Sequence, residues 1–301
     1  MQFSGGYAVF SDRPENTVEI KGAEMGINMK KKSWRKLWKN RNFVIGFCMV
    51  AVVLILMAVG FFYLPYDVDA IEVSNKLQPA GGTHLLGTDH LGRDILSRMM
   101  YGARISFLIG ALVVLFGLVT GTLIGALAGY FGGKTDEIIS KLIDTQMAFP
   151  GVLLALMMVA VFGNELKNIV LALGIMSIPR FARISRSGFM KYRDAEFVRA
   201  SRVRGAGDFY IMLWHILPNI APDMIVTCSL GFASAVMSEA GLSYLGLGIQ
   251  PPAPSFGKML SEAQNYILQA SWYVMIPTIA ITLLVMGFNL IGDGISREIQ
   301  R

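Results

Sequence analysis

Residues 42–64 read NFVIGFCMVAVVLILMAVGFFYL, an apolar run in which no side chain is charged. A helix of about 20 such residues crosses the hydrocarbon core of a bilayer. The twelve residues before this run are strongly basic, as expected on the cytoplasmic side of an anchor, and no small-residue cleavage site follows it. We therefore predict an uncleaved transmembrane helix at 42–64, preceded by a basic N-terminal segment at 1–41.

Five further runs have a similar length and composition. Charged residues make up 16% of the 301-residue chain, compared with about 25% in soluble proteins. The chain is therefore predicted to be an all-α integral membrane protein with six transmembrane helices. The five additional spans are predicted at 104–129, 138–162, 169–189, 221–245 and 273–293.

The distribution of basic residues predicts the orientation of these helices. Lysine and arginine are concentrated before the first span and between the fourth and fifth spans, and such residues favour the cytoplasmic side. Both termini are then cytoplasmic, and the net charge of +6 reflects topology rather than nucleic-acid binding. The predicted regions after the first span are an extracytoplasmic loop at 65–103, a membrane core at 104–293 with a cytoplasmic segment at 190–220, and a tail at 294–301.

Glycine recurs every fourth residue in the second predicted span, at Gly117, Gly121, Gly125 and Gly129. This spacing places the four glycines on one face of a helix, where a neighbouring helix can approach closely. The pattern predicts helix packing in a multi-helix bundle.

Two acidic residues, Asp144 and Glu239, fall within predicted spans. Charges at membrane depth are costly and normally face a bundle interior or a water-filled cavity. Both residues are therefore candidates for lining a transport pathway, with structural hydrogen bonding as the equal alternative. Pro150 and Pro277 are expected to bend the helices that contain them.

Two other motifs resemble ligand-binding sites but do not have the residue pattern that such sites require. Gly132-Gly133-Lys134-Thr135 resembles the end of a phosphate-binding loop, but Ala128 occupies the position of its first glycine. The extracytoplasmic set His84, Asp89, His90 and Asp94 has no metal-ligand spacing, so a hydrogen-bonded loop with turns at Gly87 and Gly92 is expected instead. We predict no metal site, no nucleotide site and no enzymatic activity in this chain.

Residues 194–219 read DAEFVRASRVRGAGDFYIMLWHILPN, a basic insert between long apolar runs. Such a segment lies in water, so it is predicted to be a cytoplasmic handle that another protein binds. On spacing alone, a plain amphipathic surface helix remains the alternative.

This segment resembles the coupling motif of bacterial ABC-importer permeases, which reads E-A-A, three residues, G, nine residues, I-x-L-P. Ala200, Ser201 and Gly205 match its small positions, and Leu217-Pro218 closes it. Arg199 and His215 stand where the motif has glutamate and isoleucine. The chain is most similar to the "C" subunits of oligopeptide, dipeptide and nickel permeases, through Leu86–Asp94, Tyr101–Arg104, Ala128–Gly133, His215–Asn219, Leu242–Gly248 and Asn289–Asp293.

The resemblance implies a five-helix importer-permease core plus an N-terminal helix in the bacterial inner membrane. It further implies three kinds of partner: a homologous permease subunit, two ABC ATPase subunits that bind ATP and Mg²⁺, and an extracytoplasmic solute-binding protein. This chain itself would bind no cofactor. The residues expected to take part in ATPase coupling are Arg199, Ala200, Ser201, Gly205, Leu213, Ile216, Leu217 and Pro218.

The function expected from this resemblance is to form, with the homologous permease, the pathway of an ATP-driven importer of di- and oligopeptides. The same machine with nickel or another chelated metal as its cargo is the nearest alternative. A self-contained channel or ion-driven carrier is the second alternative, and it would need no ATPase.

Overall fold

The computed structural model describes residues 37–299 as a bundle of helices. Within that range no strand occurs apart from an isolated bridge between Thr88 and Asp94, so the predicted all-α class is confirmed. Most of the basic segment at 1–41 lies outside the described residues. The helices of eight residues or more are α1 Arg41–Phe62, α2 Ile95–Phe131, α3 Gly133–Ala148, α4 Gly151–Phe162, α5 Leu166–Tyr192, α6 Glu196–Val203, α7 Asp208–Tyr244, α8 Phe256–Ala263 and α9 Ser271–Ile299.

Five helices, α1, α2, α5, α7 and α9, are long and apolar enough to cross a membrane. A sixth crossing results when α3 and α4 count as one bent span. The helix α2 begins at Ile95, nine residues before the predicted span, because the Asp94 carboxylate caps it by accepting the Ser97 N–H at 2.8 Å. The first turns of α2 therefore lie in the segment predicted to be an extracytoplasmic loop.

The predicted span 138–162 is not one continuous helix but two, α3 and α4, joined at a bend. The axes of α3 and α4 differ by 85°. Phe149 is extended, as is common before proline, and Pro150 begins the next helix without an N–H to continue the first. The bend expected at Pro150 is therefore present and is sharp.

Two close helix contacts hold α1 and α5 in the bundle. A Cβ atom built on Gly46 of α1 would lie 2.6 Å from the Gly287 carbonyl oxygen of α9. The four glycines at 117, 121, 125 and 129 all lie on the face of α2 that packs on α5. At Gly121 the same construction places the Cβ 2.8 Å from the Ile178 carbonyl oxygen, so a larger residue would force the two backbones apart.

Candidate functional site

The predicted coupling segment forms a short helix, a turn and the start of a long helix. The helix α6 ends at Val203, and Gly205 adopts a φ of +84°, the left-handed region that glycine enters without strain. The Gly205 N–H donates to the Arg202 carbonyl at 2.9 Å, and α7 begins at Asp208. The helix α7 then contains a π-helical stretch, Ile211–Ile216, just before the Leu217-Pro218 pair that closes the motif.

The predicted coupling residues fall into two groups by exposure. Arg199, Ala200, Gly205, Leu213 and Pro218 are exposed, and Leu217 is half-buried. Ser201 and Ile216 are buried within the chain itself, Ile216 with 0% of its surface exposed. The Ile216 side chain is therefore not available to a partner in this structure, because it packs in the cluster that includes Phe189, Val198, Ile211 and Ile220. Its part in ATPase coupling stays a prediction.

Sequence reasoning missed the largest apolar side chains on this segment. Val203 is 89% exposed, and Phe209, Tyr210 and Trp214 are also exposed beside Leu213. We call Val203, Phe209, Tyr210, Leu213 and Trp214 the apolar handle surface. The sequence shows apolar residues next to a charged helix. It does not show which way their side chains face, because the turn at Gly205 determines that orientation.

A hydrogen-bonded triad joins this segment to the membrane helix α2. The Tyr130 hydroxyl, at the end of α2, donates to Asp208 at 2.5 Å and accepts from Arg202 at 3.1 Å. The Arg202 guanidinium also lies 5.4 Å from the centre of the Tyr130 ring, and the hydrogen bond to Tyr130 raises the pKa of Arg202. The triad therefore connects α6, α7 and α2 at one tyrosine.

Asp144, one of the two candidate pathway residues, lies on the exposed side of α3. Its carboxylate accepts from Arg183 of α5 at 2.7 Å, and 63% of the Asp144 side chain is exposed. About two turns away on the same helix, Asp136 pairs with both Nε and Nη2 of Arg186. The helix α3 is therefore attached to α5 mainly by ion pairs, since Ile143 is its one buried residue.

Glu239, the other candidate, is enclosed by protein. It is 1% exposed, and its Oε1 atom accepts from the Ser243 hydroxyl at 2.7 Å and the Ser255 hydroxyl at 2.8 Å. The Ser255 hydroxyl also accepts the Lys258 N–H and so caps α8. In this conformation Glu239 connects α7 to α8 through Oε1, while its Oε2 atom is buried without a hydrogen-bond partner.

The end of the bundle that contains residues 84–98 carries a buried ionic cluster. Arg93 donates to Asp89 at 2.6 Å and to Glu262 of α8 at 3.0 Å, while Arg98 of α2 lies 3.4 Å from Glu262. A separate pair joins His84 to Asp94 at 2.9 Å. Gly87 and Gly92 have φ values of +79° and +80°, so the hydrogen-bonded loop with glycine turns is confirmed.

Three groups in this cluster, Asp89, His90 and Glu262, place their polar atoms within 4.8 Å of one another. Two arginines already neutralise these carboxylates, so a cation would have to displace Arg93 and Arg98 before it could bind. Burial is the main cause that lowers the pKa of His90, and Asp89 and Glu262 act against it. The groups fit a structural ion cluster better than a metal centre.

The segment resembling a phosphate-binding loop is the junction between α2 and α3. Gly132 and Gly133 have φ values of +67° and +55°, which turn the chain from one helix into the next. A helix precedes them, whereas the phosphate-binding loop follows a strand. Their conformation is that of a helix–helix turn.

Comparison with known proteins assigns the class of this chain. Residues 121–301 match the family described as "Binding-protein-dependent transport system inner membrane component", and residues 29–80 match the "N-terminal TM domain of oligopeptide transport permease C". The chain belongs to the binding-protein-dependent permease family and is a multi-pass protein of the inner membrane.

Its similar relatives are peptide permeases. The chain is 42% identical over 268 residues to the "Dipeptide transport system permease protein DppC" of Escherichia coli K12, covering 87% of this chain and 89% of that protein. It is 38% identical over 265 residues to the DppC protein of Alkalihalophilus pseudofirmus, covering 88% and 87%. The solved MetNI methionine ABC transporter has the same fold, with a TM-score of 0.56 at 19% identity over 68% of this chain and 97% of that chain.

Proposed function

We propose that this chain is one of two permease subunits in an ATP-driven importer of di- and oligopeptides. The observation that carries the proposal is its 42% identity to a dipeptide permease over 87% of the chain. Relatives named for dipeptides, for di- and tripeptides and for glutathione align over a similar share. These names favour peptides over nickel as the cargo.

The energy for transport is proposed to arrive through the cytoplasmic handle. Two ABC ATPase subunits would bind ATP and Mg²⁺, and one of them would dock on the apolar handle surface, with Arg199 and Arg204 at its charged edge. Burial of exposed aromatic residues is a common source of affinity at protein interfaces. The Val203 and Trp214 side chains, with 89% and 65% of their surfaces exposed, support this docking site.

The remaining parts of the importer follow from the same proposal. A homologous permease would supply the second half of the pathway, and an extracytoplasmic binding protein would deliver the peptide. Both termini are proposed to be cytoplasmic, because the basic handle and the basic N-terminal segment then lie on the same side. Asp144 is the better pathway candidate of the two acidic residues, because it is exposed at the pairing of α3 with α5.

Co-purification followed by reconstitution tests the proposal. The tagged chain is expressed with the genes that flank its own, and the complex is placed in liposomes with its binding protein. We expect two ATPase subunits and a second permease to co-purify, and radiolabelled dipeptide to accumulate only with ATP.

Each alternative predicts a different result in these experiments. Nickel uptake in place of peptide uptake would assign the cargo to the metal. Transport by the purified chain with no ATPase bound would contradict the importer and favour a self-contained carrier.

A further inference from the structure

The face of α5 that points away from α2 carries an unusual amount of charge for a membrane helix. Arg180, Arg183 and Ser187 are exposed along it, whereas Phe181 and Ser185 point into the bundle. Arg183 pairs with Asp144 of α3, and 53% of the Arg183 side chain is exposed. Among residues 37–299, Arg180 has no hydrogen-bond or ion-pair partner.

The length of α5 places Arg180 inside the membrane whichever way the helix is positioned. The 27 residues of α5 extend about 40 Å, and the hydrocarbon core is about 30 Å thick. Arg180 lies about 21 Å from the first residue, Leu166, and about 18 Å from the last, Tyr192. An untilted α5 that crosses the core therefore holds Arg180 at least about 9 Å from either hydrocarbon boundary, and tilt lengthens the crossing.

Charged side chains at this depth face protein or water, because exposure to lipid is costly. This chain leaves Arg180 uncovered, so the opposite wall must belong to another subunit or to a water-filled space. The exposed polar face continues from Arg180 towards the handle, where a cavity of about 380 Å³ opens between α5, α7 and α9. Its polar lining includes Ser187, Lys191, Asp223 and Thr227.

We propose that the face of α5 from Arg180 to this cavity forms one wall of a water-filled passage, in which Arg180 binds the carboxylate of the passing peptide. The inference rests on the proposed function and adds a contact for the cargo. Arginine suits this role because its planar guanidinium pairs with a carboxylate through two parallel hydrogen bonds. Arg183 is already paired with Asp144, so of these two arginines Arg180 is the one without an ion-pair partner among residues 37–299.

Thiol labelling tests whether this face is in water. After Cys48 and Cys228 are replaced by alanine, Arg180→Cys is introduced into the complete transporter in liposomes. We expect rapid reaction with a charged, membrane-impermeant methanethiosulfonate and slower reaction when peptide is present. The control Ile55→Cys, on the exposed apolar face of α1, should remain unreactive. An Arg180→Cys thiol as unreactive as the control would overturn the passage.

Peptide uptake tests the role of the Arg180 charge. Arg180→Gln should lower the maximal uptake of a dipeptide about tenfold, the loss expected for one hydrogen bond to a charged group, and leave peptide-free ATP hydrolysis unchanged. Arg180→Lys keeps the charge but not the two parallel hydrogen bonds, so its uptake should lie between that of Arg180→Gln and that of the unmodified transporter. Lys167→Gln is the control. It removes a charge at the start of α5, where Lys167 pairs with Glu165 and both side chains are exposed, and it should leave peptide uptake unchanged.

The two assays separate this inference from the proposed function. Normal uptake by Arg180→Gln would overturn the carboxylate contact even if the thiol reacts. Absence of ATP-dependent peptide uptake in the unmodified transporter would contradict the proposed function instead. The labelling reaction requires no transport, so it would still decide whether this face is in water.

Discussion

Gly205 is the residue on which the shape of the handle, residues 194–219, depends most directly. Its φ of +84° reverses the chain between α6 and α7, and a Cβ atom built there would meet no neighbour within 4 Å. A side chain at this position therefore strains the backbone without causing a clash. Such a conformation costs a non-glycine residue about 1–3 kcal/mol.

Gly205→Leu should impair ATPase assembly or coupling and leave membrane insertion intact. The strain shifts the turn, which moves the apolar handle surface relative to α6. The measurement is peptide-stimulated ATP hydrolysis by the purified complex, expected to fall severalfold. Gly207→Leu is the matched control, because Gly207 has an ordinary φ of −71° and also has open space around it. If Gly205→Leu and Gly207→Leu show equal peptide-stimulated ATP hydrolysis, the assignment of the docking site is contradicted.

His90 gives the end of the bundle that carries the ionic cluster a dependence on pH. It stacks on Tyr266, contacts the Tyr273 hydroxyl, and lies among Asp89, Glu262, Arg93 and Arg98. Burial lowers the pKa of His90 below its ordinary value of about 6.5. The unfolded chain then takes up its proton first as the pH falls, so this residue lowers the free energy of unfolding below about pH 6.5.

The thermal unfolding midpoint should therefore fall between pH 7.5 and pH 5.5, and His90→Asn should reduce that fall. The measurement is unfolding in detergent at a series of pH values. A His90→Asn variant with an unchanged slope would show that other groups cause the pH dependence.

At the scale of elements, the contact between α2 and α5 depends on the absence of side chains. The four glycines at 117, 121, 125 and 129, which we call the glycine seam, allow the two helices to touch through backbone atoms, as at Gly121 and Ile178. The dispersion contacts that result replace the hydrophobic drive that is absent between helices in lipid. The seam also holds the charged face of α5 outward, since its opposite face packs on α2.

Gly121→Ala should destabilise the protein by about 1–3 kcal/mol, because its Cβ meets backbone atoms that cannot move independently. Gly241→Ala is the control on a different helix, where nothing lies within 4 Å of the added Cβ. That substitution should be neutral or stabilise α7 by up to about 1 kcal/mol, the helix propensity difference. The measurement is thermal unfolding of the two variants under the same conditions. An equal loss of stability in both would contradict the packing argument.

Elements differ in how well their sequences predict them. The run 42–64 predicted α1 within a few residues, because an uninterrupted apolar stretch has one stable conformation in lipid. The break at Pro150 was expected, but its 85° angle depends on where α3 and α4 find contacts on α5. The pairing of Arg98 with Glu262 joins residues 164 positions apart, and no local pattern reports it.

The coupling residues also differ in how well the sequence predicts their structure. Gly205 was identifiable from the motif because a turn requires it, whatever surrounds it. The burial of Ile216 was not, because a π-helical stretch rotates the start of α7 relative to an ordinary helix. Exposure is a property of the assembled bundle, so the motif that named Ile216 could not show that its side chain is buried.

At the scale of the whole molecule, Tyr130 connects the handle to the membrane body. Its hydroxyl bridges Asp208 of α7 and Arg202 of α6, while its backbone belongs to the last turn of α2. A movement imposed on the handle by a partner would therefore reach α2 through this side chain as well as through the chain itself. Tyr130 acts in this description as a positioning residue.

Tyr130→Phe should keep the ring packing and lose both hydrogen bonds, so the handle would be held less firmly. We expect the number of peptides imported per ATP hydrolysed to fall about threefold or more, as for the loss of about 1 kcal/mol of hydrogen bonding. The measurement is uptake and hydrolysis in the same liposomes. Tyr63→Phe, an exposed tyrosine after α1, is the control. An unchanged ratio would leave Tyr130 with a packing role alone.

The charged face of α5 also bears on how this protein is made. Arginine at the centre of a helix opposes insertion by about 2.5–3.5 kcal/mol, so Arg180 and Arg183 make α5 a poor substrate for the translocon on its own. The ion pair of Arg183 with Asp144 of α3 offsets part of that cost once α3 lies beside α5, and packing on the glycines of α2 holds the opposite face of α5. Nascent α5 is therefore expected to remain at the translocon until α2 and α3 have packed against it. The three helices would then enter the bilayer together.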